Sequence, residues 1–197
     1  MICVHFEKKR VRAKKAFSVV CVVLCLLLTL PAAFKFSAYA SSNVFVGPSE
    51  SIQAAINSAA IGDTLLVSAG TYNESLQINK TISLIGEDRD RTIINGQNNQ
   101  FIINITARNV TIKDFTIQSA VNPGVGVNIF GSQGDLISHN TIEGSQLGLA
   151  IAPSINSDSS NNTISGNTID DNQQGITLSS STTIGNTISD NLITGNS

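Results

Sequence analysis

Tryptophan is absent from this chain of 197 residues, and all three cysteines fall within the first 25 positions. Beyond Cys25 the chain can therefore form no disulfide and no thiolate metal site. Positive charge is scarce as well. From residue 41 onward only Lys80, Arg89, Arg91, Arg108 and Lys113 stand against thirteen acidic residues, and no Lys or Arg follows Lys113. A surface of that sign repels nucleic acid and anionic lipid, which excludes nucleic-acid binding as the function. His139 is the one histidine in this stretch, and its aromatic residues are Tyr72, Phe45, Phe101, Phe115 and Phe130. Cores built on stacked aromatics are thus excluded, and aliphatic residues must carry the packing.

The first forty residues read differently. Lys8, Lys9, Arg10, Arg12, Lys14 and Lys15 precede an uncharged run from Ala16 to Phe34, which is followed by Ala38-Tyr39-Ala40. A basic segment, an apolar segment and a small-x-small site predict a secretory signal peptide cleaved after Ala40. The competing reading is an uncleaved N-terminal membrane anchor, since the run is near the lower length limit for a span. Cleavage predicts a product that is secreted, at the cell surface or in the periplasm, with no membrane segment left.

What the rest of the chain has is repetition. Leu136-Ile-Ser-His-Asn-Thr-Ile142, Thr163-Ile-Ser-Gly-Asn-Thr-Ile169 and Thr187-Ile-Ser-Asp-Asn-Leu-Ile193 align on Asn140, Asn167 and Asn191, which are 27 and 24 residues apart. Self-similarity at that period signifies a solenoid, because a unit too short to bury its own apolar face must stack on a copy of itself. Ile alternating with Ser, Thr and Asn predicts strands, with Gly and Asn marking turns. In-register copies predict parallel stacking, with Ile over Ile and the asparagines hydrogen-bonded from coil to coil.

In chain order, Asn43–Gly47 predicts an opening strand. Ile52, Ala55, Ile56, Ala59 and Ala60 fall on one stripe and predict a helix over 50–60, capped by Ser49 and ended by Gly62. A lone amphipathic helix ahead of many strands suits the end of a solenoid, where it covers an open apolar cross-section. Candidate strands follow at 64–68, 75–78, 81–85, 92–95, 101–106, 110–118, 126–130, 147–152 and 175–178, about two per coil, with Gly70, Gly86 and Gly96 as punctuation. The predicted fold class is all-β: a right-handed parallel β-helix with an N-terminal amphipathic capping helix. The predicted organisation is a signal peptide at 1–40, the opening strand and capping helix at 41–62, and β-helix coils at 63–197. The coils stop at Gly195-Asn196-Ser197 with no capping segment, which predicts either a fragment, continued by further coils, or an edge covered by a partner.

Ser51-Ile-Gln-Ala-Ala-Ile-Asn-Ser-Ala59, Gly62-Asp63-Thr64, Gly70-Thr71-Tyr72-Asn73-Glu74 and Asn79-Lys-Thr-Ile-Ser-Leu-Ile-Gly-Glu87 resemble the N-terminal part of pectin-lyase-like right-handed parallel β-helices. The run at 162–169 is similar to the NosD-type branch, described also as carbohydrate-binding and sugar-hydrolysis repeats. The resemblance covers nearly all of 44–197. It implies the fold and a polysaccharide or cell-surface glycan as partner; it does not fix an activity, because the fold hosts lyases, hydrolases, esterases and inert scaffolds.

A lyase of this kind implies carboxylates for Ca²⁺ and a basic residue as proton acceptor. Asp170 and Asp171 are the weak Ca²⁺ candidates, able to share an ion only in a turn; Arg89, Arg91 and Arg108 lie several coils away. A glycoside hydrolase implies two carboxylates about 5–10 Å apart, whereas Asp114, Asp135, Glu143, Asp158, Asp171 and Asp190 are scattered in sequence. His139 stands where the other copies have Gly166 and Asp190, which reads as a solvent-facing turn. Copper handling, implied by the NosD resemblance, meets one His and no Cys or Met beyond residue 41. No catalytic or cofactor-binding residue is assigned, with Ca²⁺ reserved for the lyase alternative. The reading is a secreted or cell-surface β-helix module, non-catalytic and carbohydrate-contacting or scaffolding. The alternative is a pectate-lyase-like lyase or hydrolase whose active site is incomplete or lies beyond Ser197. Phe115 and Phe130 are expected in the core.

Overall fold

The computed structural model describes residues 41–97, 100–119, 124–181 and 183–197; the predicted signal peptide lies outside them. β1 (Asn43–Val46) and helix α1 (Ile52–Ser58) come first. Coils of three short strands follow: β2 (Thr64–Val67), β3 (Gly70–Tyr72) and β4 (Leu76–Ile78); β5 (Ser83–Gly86), β6 (Thr92–Asn95) and β7 (Phe101–Ile105); β8 (Thr111–Lys113), β9 (Thr116–Gln118) and β10 (Val125–Phe130). Then come β11 (Leu136–Ser138), β12 (Thr141–Glu143) and β13 (Leu147–Ala152); β14 (Thr163–Ser165), β15 (Thr168–Asp170) and β16 (Gln174–Leu178); and lastly β17 (Thr187–Ser189) and β18 (Leu192–Thr194).

Each coil gives one strand to each of three parallel sheets. The first runs β1-β2-β5-β8-β11-β14-β17, the second β3-β6-β9-β12-β15-β18, and the third β4-β7-β10-β13-β16. The fold is a parallel β-helix. Alternate side chains point inward, so identical residues stack. Leu65, Leu84, Ile112, Ile137 and Ile164 form one inner column, and Tyr72, Ile94, Ile117, Ile142 and Ile169 another. The aliphatic residues of both are fully buried.

Three strands per coil, rather than two, is the main departure from the sequence expectation. The stretch 110–118 is not one strand but two, because Asp114 turns into the left-handed region at φ 63° and Phe115 is buried at the corner. Gly70 is the first residue of a strand rather than a turn; a Cβ there would come within 3.1 Å of the Pro48 side chain.

The helix is shorter than the apolar stripe suggests. Ser51, not Ser49, caps it, its hydroxyl accepting from Ala54 N at 3.1 Å. Glu50 is engaged instead with Gly47 N at 2.7 Å. Glu74 accepts from Ile52 N and Gln53 N, placing a carboxylate at the positive helix end. At the other end Asp63 accepts from Ala60 N, Ala59 becomes extended, and the helix stops before Gly62 is reached. Ile52 and Ile56 are buried against the first coil. Gln53 bonds both Gln77 N (2.7 Å) and Gln77 O (3.3 Å), standing in for a strand along the free edge of β4.

The corners are held by side chains. Asn140 Nδ2 donates back to Ile112 O, while its Oδ1 accepts from Phe115 N; Asn167 repeats this on Ile137 O and Asn140 N, and Asn191 on Ile164 O and Asn167 N. Two further ladders accept backbone N–H groups in the same way at the other corners: Asp135, Asn162 and Asn186, and Asn172 with Asn196. One residue before each ladder position the backbone is left-handed, in the columns Asn109–Gly134–Asn161–Gly185, Asp114–His139–Gly166–Asp190 and Gly144–Asp171–Gly195. Gly, Asn, Asp and His fill those columns because they bear that conformation at least cost. Ser145 occupies a ladder position without the reach of an amide, and its buried hydroxyl has no partner.

Asn167 sits mid-ladder, fully surrounded. Asn167→Ala removes acceptor and donor together and is expected to cost about 2–4 kcal/mol in urea unfolding. Exposed Asn156→Ala is expected to stay within about 0.5 kcal/mol. Equal costs for the two would mean the ladder does not hold the corners.

Candidate functional site

Outward-facing residues of the third sheet form a second set of columns. Gln77, Asn104, Asn128, Ala150 and Thr177 are in register on β4, β7, β10, β13 and β16. Their inward neighbours Ile103, Ile105, Val127 and Ile129 are fully buried. Asn104 Nδ2 donates to Gln77 Oε1 at 2.8 Å, and Asn128 Nδ2 to Asn104 Oδ1 at 2.7 Å. Asn104 thus both donates and accepts within the ladder, and each amide retains further hydrogen-bonding capacity. Asn128 and Ala150 face outward yet are only 6% and 5% exposed. Phe101, Val125 and Leu147 form the adjoining column on one side, and Phe130, 41% exposed, stands in register with Ala152 on the other. The result is a polar strip between apolar walls, repeating at the coil rise of about 4.8 Å.

Phe130 is therefore on the surface and not in the core, whereas Phe115 is fully buried. Phe130 closes β10 on the outward side, because Ile129 takes the inward place. Tyr72 is also interior: its hydroxyl donates to Ser68 O at 2.8 Å, and burial raises its pKa.

The other candidate residues are distributed over the remaining faces. Asp170 ends β15 and lies in register with Glu143 one coil earlier and Thr194 one coil later. Asp171 occupies the neighbouring left-handed turn at φ 52°. Asp170 and Asp171 thus do sit at a turn, but among the described residues no group of three or more His, Cys, Asp or Glu side chains could hold a metal ion. His139 is exposed at φ 56°, between Asp114 and Gly166 in its column. Arg89 and Arg91 pair with Asp90 and Asp88 in the turn before β6, and Lys113 pairs with Asp114. Glu143 and Asp170 are the carboxylates that the fold brings onto adjacent rungs, and no basic side chain follows Lys113 to join them.

The buried carboxyl of Asp135 stands apart. Its Oδ1 accepts from Val110 N at 2.9 Å, and its Oδ2 lies 2.5 Å from Ser132 Oγ, which also contacts Ala107 O. A hydroxyl has one proton for two acceptors, so the arrangement suits a protonated Asp135 donating to Ser132. Burial pushes its pKa up to about 6.

With this geometry in place, comparison with known proteins is informative. The family model for the right handed beta helix region matches residues 72–197. The chain belongs to that right-handed β-helix family. No curated protein matches it by sequence. Among solved structures, the chain is similar to a pectin methylesterase mutant in complex with a hexasaccharide (16% identity, TM-score 0.54, 66% of this chain and 55% of that one). It is similar also to ORF18 of Geobacillus virus E2 (20%, 0.55, 66% and 31%). An alginate lyase from Paenibacillus sp. gives 14%, 0.52, 80% and 68%. At such identities the likeness is one of fold. The chain spans about half the length of the pectin methylesterase and about a third of the viral protein.

A raised carboxyl pKa destabilises the fold wherever the group must ionise. Stability from Asp135 is fully present below the unfolded value near 3.8, declines as pH rises, and is lost above about 6. Asp135→Asn can keep the contact to Ser132 without the charge. It is expected to gain up to about 3 kcal/mol above pH 7 and nothing near pH 4, as read from thermal melts across pH. A pH-independent difference would mean that Asp135 is ionised at no cost.

Proposed function

We propose that residues 41–197 form a non-catalytic β-helix module, secreted or at the cell surface, that contacts a neutral polysaccharide along the outer face of the third sheet. The observation that carries this reading is the amide ladder Gln77–Asn104–Asn128 flanked by Phe101 and Phe130. Amides bond pairs of hydroxyls, and an exposed aromatic ring covers the apolar side of a sugar. A ladder repeating every coil suits a polymer whose units repeat on a similar length, rather than a compact solute.

Charge points to a neutral ligand. The relatives include proteins named for pectin and alginate, which are acidic polymers, and one is bound to a hexasaccharide. Residues 41–197 carry thirteen acidic residues against five Lys and Arg, so the module as a whole opposes a polyuronate. The same imbalance supports the non-catalytic reading over the lyase or hydrolase alternative. The phrase at 162–169 supports a place in the NosD-type branch, and the basic and apolar segments before Ala40 support secretion.

Binding is measured by calorimetry of the chain against neutral hexaoses of glucose, xylose and mannose, and against hexagalacturonate. At least one neutral hexaose is expected to bind and to weaken roughly tenfold with Phe130→Ala, while hexagalacturonate binds more weakly as salt is lowered. Absence of neutral binding, or tight binding of the uronate, overturns the reading. Intact mass of the product from its own cells is expected to begin at Ser41; a mass retaining residues 1–40 would favour the anchor.

A further inference from the structure

The amide ladder on the outer face of the third sheet runs in one direction. Asn128 Nδ2 donates to Asn104 Oδ1, and Asn104 Nδ2 donates to Gln77 Oε1, so each donor points to the rung before it. Each carbonyl oxygen is correspondingly turned to the rung that follows. For Asn104 the following rung holds Asn128, which supplies the N–H. For Asn128 it holds Ala150, in register on β13, and a methyl group has no proton to donate.

Asn128 is only 6% exposed, and among the described residues nothing donates to its Oδ1. An acceptor so placed has little access to water, and leaving it unmet is costly. Thr177 stands on the rung beyond Ala150, but its hydroxyl donates to Gln174 Oε1 on its own strand at 3.2 Å. Around the same rung the outward surface is apolar: Ala150, Ala152 two residues further along β13, and Phe130 in register with Ala152 and 41% exposed. The position therefore calls for one group with two properties, an N–H for Asn128 and a small apolar body for Ala150.

We infer that this rung is a subsite for the acetamido group of a neutral polymer of N-acetylated amino sugars, an assignment that rests on the carbohydrate reading above and narrows it. The acetamido N–H donates to Asn128 Oδ1 and continues the ladder by one amide. The acetyl methyl lies on Ala150 beside Phe130. The acetyl oxygen is left toward the rung of Thr177, whose hydroxyl can turn to it from Gln174. A plain sugar hydroxyl in this place meets the acceptor and leaves the apolar surface uncovered. A free amino group brings a positive charge to a position of low exposure where no carboxylate bonds to Asn128.

The test is calorimetry of the full chain against two hexaoses of the same linkage, one of N-acetylglucosamine and one of glucose. The acetylated hexaose is expected to bind roughly tenfold or more tighter, the discrimination that one hydrogen-bonded N–H and one methyl group supply. Ala150→Asn places an amide of the chain itself on this rung and is expected to abolish the preference. Ala150→Ser, a smaller change that also offers Asn128 a proton, is expected to reduce it and serves if Ala150→Asn fails to fold, as melting curves show. Equal affinity of the unaltered chain for the two hexaoses overturns the inference and leaves the carbohydrate reading standing. A preference that survives undiminished in the folded variants overturns it as well, because the acetamido group is then recognised elsewhere. If no neutral hexaose binds, both readings fall.

Discussion

A parallel β-helix with three sheets must turn its chain three times per coil without stranding backbone N–H and C=O groups inside. The side-chain amide at each corner answers that constraint. It donates to a carbonyl of the coil before and accepts from an N–H of the same coil, so one residue satisfies two groups that no strand can reach. Everything else follows from keeping those amides in line. The strands are three residues long where the corners are tightest, the preceding residue is left-handed, and the inner columns align because the corners align.

The same constraint explains where the chain changes character. In the first coil Asp63 holds a corner, accepting from Ser42 N and Ala60 N, whereas in the coil of β8 and β9 the corner positions are taken by Val110 and Phe115, which are buried. Asp135 and Asn140 are where the continuous ladders begin, each reaching back to the N–H of its apolar predecessor. Asp135 is an acid in a place otherwise held by Asn162 and Asn186, and it bears the cost of burial through a raised pKa. Close packing sets the remaining corner. Gly126, Gly148 and Gly175 stack where the third sheet begins, and a Cβ on any of them would come within 2.8 Å of Ile142, Ile169 or Ile193.

Function sits outside this framework. A solenoid offers ladders on its outer faces as a by-product of those inside, and the third sheet turns one of them into an amide strip between apolar walls. Asn104 and Asn128 lie on the outer face, bonded to each other and to Gln77 rather than to the inner columns. Charge is divided along the axis as well, with every basic residue of 41–197 placed at or before Lys113.

The repeat phrase determined the architecture without tertiary information: its period required stacking, its alternation required strands, and its central asparagines required a polar ladder. The other two ladders are legible in the sequence as well. Asn162, Asn167 and Asn172, like Asn186, Asn191 and Asn196, stand five residues apart, a spacing that marks corners rather than strands. The strand count is not legible in the pattern, since a two-residue corner such as Asp114-Phe115 interrupts the alternation without a Gly or Pro to announce it. The surface roles were not in the sequence. Gln77, Asn104 and Asn128 are 27 and 24 residues apart in unlike local contexts, and only the register of β4, β7 and β10 brings them together. Whether Phe130 lies in the core or on the surface depended on which face of β10 turned inward. Periodicity fixes what stacks on what; the phase of each strand, set by its neighbours across the coil, decides what remains outside.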